Sequence, residues 1–323
     1  MKIDTSIFTD AMKFNRIMIT DSEVKIHNYD ASTMGVMTVR KMDHAMETAV
    51  FTLNEKDYRF ISRLGNVDMD VTENEIKIKC KGSKYKFALL KEAPEFEPDL
   101  DNLKDVGVTF DVIQKASAFT GNAPGQPQYS GVNILNDVLM ASNRAAVMRK
   151  KITNELGYEI NIPGSSIKHM QEHEKMFLKT NGKFLACLTP GRIFYTTLIE
   201  NKISNVSLQL DDKFKVTLNR SELVNELKKI SEYAEIAKFT FRDDKFIIQA
   251  STNEQDFDIQ LDAEFSGKAV IMQLNMKQLL LIMNAVEIDD VKLEFTDKAA
   301  RIYDEAKENE FILPRYGQLE EVE

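Results

Sequence analysis

Chemistry needs side chains of the right type at the right spacing, and this 323-residue chain holds only four histidines. Two of them, His169 and His173, stand at i and i+4, a spacing that on a helix can hold a metal ion. Their order, His169-Met170-Gln171-Glu172-His173, is not the His-Glu-x-x-His of zinc peptidases. Exposed helix positions account for them better, so no metal is expected. Cys80 and Cys187, far apart and outside any ligand spacing, read as buried small hydrophobes in a reducing compartment. There is no glycine-rich phosphate loop and no nucleophile elbow, and the scattered carboxylates suit solvated strand faces. No catalytic residue, cofactor or enzymatic activity is expected.

The more informative spacing is basic. Lys56, Arg59 and Arg63 fall at i, i+3 and i+7, within about 60° of one another on a helix, with Tyr58 and Ile61 on the opposite side. One face is then cationic and the other is core. Lys115, Lys168, Lys228, Lys229 and Lys277 are further candidates on other helices. Any one of them reads more simply as solvated surface, and Glu172, Glu174, Glu222, Glu226 and Glu232 on the same helices dilute the charge. The net charge of −9 argues against a generally basic nucleic-acid binder, but a local basic face decides such binding.

The rest of the chain must position these residues. A hydrophobic content of 43% and a charged content of 29% are ordinary for a globular protein. No window approaches the roughly 18 apolar residues of a membrane span. The N-terminus, MKIDTSIFTD, has no apolar signal core, so the expectation is a cytoplasmic protein with no membrane partner. Period-2 runs such as Val67/Met69/Val71, Ile76/Ile78/Cys80 and Tyr85/Phe87/Leu89 predict half-buried antiparallel strands. Helices are expected from Thr5 through Met12–Lys13, from Asn54 through Leu64, from Asp111 to about Phe119 and from Gly164 to about Glu174. Two more are expected from Asn219 to about Tyr233 and from Asn275 to Ala285. Glu92–Leu103, with Pro94, Pro98 and clustered acids, reads as a linker.

The order repeats. Leu53, Ile162 and Leu274 hold the same place at a strand-to-helix junction, about 110 residues apart, and three strands follow each. Each unit also opens with a strand and a helix. A period that long means tandem small domains rather than a solenoid. The expectation is an α+β chain of three two-helix, antiparallel-sheet domains, residues 1–102, 103–208 and 209–323. Such an arc leaves a sheet edge at each end, and two copies joined edge to edge would close a ring.

The last unit, from Met272 to Tyr316, is the most legible copy. Its strand ending Leu274-Asn275, helix, Val291-Lys292-Leu293-Glu294-Phe295-Thr296-Asp297 and terminal Phe311-Ile312-Leu313-Pro314 resemble the bacterial-type DNA polymerase sliding clamp, the β subunit family. Tyr129-Ser130-Gly131-Val132-Asn133-Ile134-Leu135 and Asn143-Arg144-Ala145-Ala146-Val147 also resemble that family's strand pair and its His-Arg-Leu-Ala segment. The likeness covers essentially the whole chain, carried by threefold order and length more than by any motif.

The resemblance implies half of a closed ring: a head-to-tail homodimer encircling double-stranded DNA without regard to sequence. The implied partners are a DNA polymerase and a clamp loader. It places Arg63 among the residues facing DNA. It also implies a partner-peptide groove lined by Tyr129, Met140, Asn143, Arg144, Ala145, Phe311, Leu313, Pro314, Arg315 and Tyr316. Two departures concern that groove. Met140-Ala141-Ser142-Asn143 replaces the family's Thr-Asp-Gly-His. Arg315-Tyr316 and an acidic tail, Gly317 to Glu323, replace its Met-Arg-Leu end. They point to a divergent member, one a virus could encode for use in a bacterial host's cytoplasm. The alternative is a non-enzymatic three-domain adaptor that binds proteins and never encircles DNA.

Overall fold

The computed structural model describes residues 1–30, 33–42, 46–94, 96–170, 176–205, 214–242, 244–252, 254–266, 269–296, 298–303 and 308–321. Its fold is α+β, with short helices and large antiparallel sheets. The element order runs through three similar passes.

The first pass opens with β1 (Lys2–Asp4) and a 3₁₀ turn (Thr5–Ile7). Then come β2 (Phe14–Ile19), β3 (Glu23–Asp30), β4 (Met34–Lys41) and β5 (Ala49–Asn54). Helix α1 (Glu55–Ile61) leads to β6 (Asn66–Val71), β7 (Glu75–Cys80) and β8 (Ser83–Ala88). The second pass has β9 (Lys104–Asp105), α2 (Phe110–Ser117), β10 (Gly131–Ile134), β11 (Val138–Ser142), β12 (Val147–Lys151) and β13 (Ile160–Pro163). It continues with α3 (Gly164–Ile167), β14 (Phe177–Thr180), β15 (Phe184–Thr189) and β16 (Arg192–Thr197).

The third pass has β17 (Phe214–Asn219), α4 (Arg220–Ile230), β18 (Ile236–Arg242), β19 (Lys245–Ser251), β20 (Asp256–Ser266) and β21 (Val270–Asn275). Helix α5 (Met276–Ala285), β22 (Asp290–Phe295), β23 (Ala299–Tyr303) and β24 (Asn309–Pro314) complete it, and β25 (Tyr316–Glu321) follows. The predicted junction residues Leu53, Ile162 and Leu274 lie in β5, β13 and β21, each directly ahead of a helix.

Several helices differ from expectation. The first pass has no opening helix, only the 3₁₀ turn, whose Asp4 carboxylate caps Ser6 N–H at 3.0 Å. Phe8 leaves that turn to stack on Tyr58, with centroids 5.5 Å apart. Asp10 then takes a left-handed φ of 57°, and β2 begins only four residues later. Helix α1 stops at Ile61, where Arg63 N–H turns back to Phe60 O. Helix α3 is a single turn ending at Ile167, and His169 lies in the turn beyond it; the rest of that predicted helix, with His173, lies outside the described residues. Three helices start where expected, each capped by an asparagine. Asn54, Asn219 and Asn275 accept from the N–H of Asp57, Glu222 and Gln278 at 2.8, 3.1 and 3.1 Å, satisfying donors that helix starts leave open.

The chain packs as two compact units that cut across the passes. Residues 1–107 and 166–198 form one, and 108–165 and 199–323 the other. In the first unit β4 pairs antiparallel with β16, fusing strands of two passes into one sheet of order β5-β2-β3-β4-β16-β15-β14-β9. A four-stranded sheet, β1-β6-β7-β8, packs against it around Ile17, Leu53, Tyr58, Met69 and Ile78. In the second unit β12 pairs antiparallel with β24, within a sheet running from β13 to β25. There Phe239, Phe241, Phe246 and Phe295 stack at 4.6–5.5 Å. Cys80 and Cys187 are both free thiols, and burial pushes the Cys187 thiol up to about 11, so it behaves as a small hydrophobe.

The β4–β16 seam carries a titratable group. His27 on β3 places Nε2 2.7 Å from the Tyr195 hydroxyl of β16 and packs on Tyr29. Burial, and then the charge of Arg16 opposite it on β2, lower its pKa from 6.5 to about 4. The unfolded chain therefore takes up a proton near pH 6.5 that the folded chain refuses until about 4. Stability from this site is full above pH 6.5 and is lost as pH falls toward 4. Thermal unfolding of wild type and His27→Gln at pH 7 and pH 4.5 should show the wild-type advantage shrinking at the lower pH. A constant difference would mean the ring is not held neutral.

Candidate nucleic-acid face and partner groove

In the first unit, helix α1 is too short to be amphipathic by more than two turns, yet it divides cleanly. Tyr58 and Ile61 are fully buried, while Lys56, Arg59 and the following Arg63 are exposed. Arg59 reaches back one turn to Glu55, with Nη2 2.8 Å from the carboxylate. Lys168, just beyond α3, is exposed. In the second unit, Lys115 on α2 pairs with Glu287 after α5, and Lys229 on α4 pairs with Glu226 at 2.6 Å. Lys228 and Lys277 are exposed on α4 and α5. Among the described residues, Lys56, Arg63, Lys168, Lys228 and Lys277 form no ion pair. Exposed pairs like those of Arg59 and Lys229 contribute about 0–1 kcal/mol, so they cost little to exchange for another anion.

The groove residues divide differently. Antiparallel pairing sets Val147 opposite Ile312 and Met148 opposite Phe311. The turn between β11 and β12 therefore lies beside the end of β24. That turn is rigidly built. Asn143 Oδ1 accepts from the N–H of Ala145 and Ala146 at 3.0 and 2.8 Å, and Ser142 Oγ accepts from Arg144 N–H at 3.0 Å. The Asn143 amide donates to Gln278 Oε1 on α5 at 2.8 Å. Arg144 stands at the apex, exposed, with a left-handed φ of 74°.

Three expected lining residues are closed off from solvent. Met140 lies in an apolar cluster with Leu135, Val138 and Ile203, Phe311 packs on Phe119 with centroids 5.6 Å apart, and Leu313 is fully buried. They support the surface from beneath. Tyr129, Asn143 and Ala145 are half-buried, and Pro314 and Tyr316 are exposed. Arg315 is half-buried and donates to Gly317 O. The segment after it was expected only as an acidic tail. It forms β25, paired with β21 through Gln273↔Tyr316 and Val270↔Glu321. Tyr316-Gly317-Gln318-Leu319-Glu320-Glu321 has no period-2 alternation, so the sequence carries no local signal for that strand.

Among the described residues no group of His, Cys, Asp or Glu side chains could hold a metal ion. No described helix is long and apolar enough to cross a membrane.

By sequence the chain matches no family model and no curated protein. Solved structures do match it. It superposes on the DNA polymerase III subunit β of Pseudomonas aeruginosa with a TM-score of 0.83 and 11% identity, covering 98% of this chain and 99% of that one. The β subunit from Thermotoga maritima gives 0.81 at 14% identity, over 98% of both chains. The Helicobacter pylori β clamp, solved bound to a DNA ligase peptide, gives 0.83 at 14% identity, over 98% of this chain and 99% of that one. Over nearly its whole length, then, this chain has the fold of the bacterial DNA polymerase III β sliding clamp.

Proposed function

We propose that this chain is a DNA sliding clamp: a non-enzymatic processivity factor that encircles duplex DNA and tethers a DNA polymerase and other replication or repair proteins. The observation that carries the proposal is the end-to-end match to β clamps, reinforced by the threefold element order. In this reading residues 1–102, 103–208 and 209–323 are three clamp domains, and two chains join head to tail as a homodimer in the cytoplasm. A clamp loader opens and closes the ring.

Lys56, Arg59, Arg63, Lys115, Lys168, Lys228, Lys229 and Lys277 would meet phosphates without reading bases. The overall charge of −9 suits a ring that slides, since a strongly basic one would bind in place. Tyr129, Asn143, Arg144, Ala145, Pro314, Arg315 and Tyr316 would receive a partner's peptide over a floor of Met140, Phe311 and Leu313. A peptide-bound relative supports a groove of this kind, as does the stiffness of the 142–146 turn, which spares the binding reaction an ordering cost.

Topology is the decisive test. Loaded onto nicked circular DNA, the protein should stay bound and then slide off when that DNA is linearised. Retention on linear ends, or no dependence on topology, would leave a three-domain protein adaptor as the better reading. Weak binding to free duplex is compatible with either outcome.

The basic face gives a second test. Arg59→Glu with Arg63→Glu should lower clamp-dependent polymerase stimulation roughly tenfold, on the order of 1–2 kcal/mol for two phosphate contacts. Dimerisation should not change. Unaltered stimulation would mean that this helix face is only solvated surface.

A further inference from the structure

The eight-stranded sheet of the first unit has two faces, and the chain uses them differently. One packs on the four-stranded sheet through Ile17, Ile19, Ile26 and Phe51. The side chains that alternate with these point the other way, and the linker after β8 crosses that outer face as a strap. Leu90 N–H donates to Thr52 O of β5 at 3.0 Å, and the Tyr29 hydroxyl of β3 donates to Pro94 O at 2.7 Å. The Phe96 ring then lies 6.0 Å from that of Tyr195 on β16 and 6.3 Å from that of Phe184 on β15. Asn181, just after β14, donates its amide to Asp99 O at 3.0 Å. The strap therefore runs across the strands, along the row in which Tyr29 faces Gly35 and Gly35 faces Tyr195.

The next row along the same face is left open. Arg16 faces His27, His27 faces Met37, and Ile193, Leu188 and Phe177 follow Met37 in register from β4 to β14. Beside that row, Met18 faces Lys25 and Lys25 faces Val39. Met18, Met37, Ile193 and Leu188 are half-buried, while Val39 is 41% exposed and Phe177 57%. Single exposed apolar residues need no explanation, but a line of them in register across neighbouring strands marks an interaction surface. Where the strap meets the open row there is a cavity of about 450 Å³. Phe96 and Glu97 form its wall, and Met18, Met37 and Val39 lie on its floor. That volume falls in the range of ligand sites.

Arg16, Lys25 and His27 also open onto this cavity. His27 is neutral at pH 7, because burial and then the charge of Arg16 hold its pKa near 4. The cations of the floor are therefore Arg16 and Lys25. Glu23 meets Lys25 at 2.9 Å, a solvent-accessible pair that another carboxylate could displace at little cost. Charge is thus divided, with cations on the floor and Glu97 exposed on the wall. One incoming carboxylate is accommodated on the floor side, whereas a run of acids would meet Glu97 and Glu23. The two methionines beside the cations give a polarisable floor that adapts to an aliphatic side chain.

We infer that this open row is a second docking site for partner proteins, taking an extended peptide that runs beside the strap. Its occupant carries an aliphatic side chain next to one carboxylate, and an aromatic side chain further along. The aliphatic side chain enters the methionine cavity, the carboxylate meets Arg16 and Lys25, and the aromatic ring packs on Phe177. The strap shows that this face accepts extended chain, held by one aromatic anchor, Phe96, and by the carbonyls of Pro94 and Asp99. Strands lie about 4.8 Å apart, so the three steps from β4 to β14 span about 14 Å, or about four extended residues. That distance sets the spacing of the two anchors. A small molecule in the cavity would leave Ile193, Leu188 and Phe177 uncovered, which favours a peptide. The groove of the proposed function belongs to the second unit and shares no residue with this site, so different segments can fill the two.

The probe is a fluorescein-labelled nonapeptide, Ser-Asp-Leu-Thr-Ser-Thr-Phe-Ser-Ser, with its Leu and Phe at the anchor spacing and Asp beside the first. Anisotropy with the full-length protein should give a dissociation constant on the order of 10–100 μM, weakened at least about tenfold when both anchors are alanine. In protein with isotope-labelled methionine methyls, the same titration should shift the Met18 and Met37 signals. Met140, on the floor of the other groove, should not move. That readout needs no substitution. Val39→Lys and Phe177→Ser, both at exposed positions, should each weaken binding about tenfold. Lys25→Glu should weaken the probe and strengthen a version with Lys in place of its Asp. No binding at about 1 mM probe, equal binding of the alanine peptide, variants that bind like wild type, or shifts at Met140 instead of Met18 and Met37 would overturn the site. No DNA is present in these measurements, so their failure would leave the ring untouched, and failure of loading on circular DNA would leave this site untouched.

Discussion

Everything in this chain depends on strands far apart in sequence finding one another by main-chain hydrogen bonds. A short helix over a few antiparallel strands buries little apolar surface by itself, and its outer strand exposes unpaired N–H and C=O groups. The β4–β16 and β12–β24 seams solve both problems at once. At the first seam Gly35 lies against Tyr195, where an added Cβ would come 2.3 Å from the hydroxyl and 2.8 Å from Asn28 O. The absence of a side chain lets β16 approach closely enough for the tyrosine to reach His27. At the second seam Arg149 meets Glu310, whose other carboxylate oxygen forms an ion pair with Arg301 at 2.7 Å. Breaking a buried pair of this kind typically costs about 3–5 kcal/mol, because the carboxylate left behind has lost its water.

The net charge conceals how acids and bases are placed. Exposed strand positions carry many of the acids: Asp68 and Asp70 on β6, and Asp256, Asp258 and Asp262 on β20. The basic residues of the candidate nucleic-acid face lie on or just beyond helices, although β7 and β8 carry exposed lysines as well. Several have a glutamate nearby, as Arg59 has Glu55 and Lys229 has Glu226. Such an arrangement holds each cation weakly. A phosphate could displace such a carboxylate at little cost, which is the exchange the proposed function asks of these cations.

The threefold order is legible in the sequence because it rests on local signals. Asparagine caps, period-2 strands and the apolar stripe of Leu223, Leu227 and Ile230 on α4 each follow from a few neighbouring residues. What stays hidden is non-local. Nothing in Val147–Lys151 announces Asn309–Ile312 as its neighbour, since any edge strand offers the same donors and acceptors. The opening segment misleads for a related reason. Thr5 through Lys13 has helix-compatible residues, but Phe8 gains more by stacking on Tyr58, and Asp10 is drawn to Arg192. Tertiary contacts override local propensity there. Met140, Phe311 and Leu313 mark a similar limit: their types suit a binding pocket or a core, and only packing decides between the two.

The seam also explains why the proposed groove can be stiff. Its two walls come from the 142–146 turn and from Leu313–Tyr316, about 170 residues apart in sequence, and pairing of β12 with β24 alone brings them side by side. The turn is fixed by the Asn143 side chain, which accepts from the N–H of Ala145 and Ala146 and donates to Gln278 on α5. The other wall is held by β25, which continues from Arg315 into pairing with β21. Here it is a strand anchored on both sides, so a peptide laid across it would meet a surface already set in place.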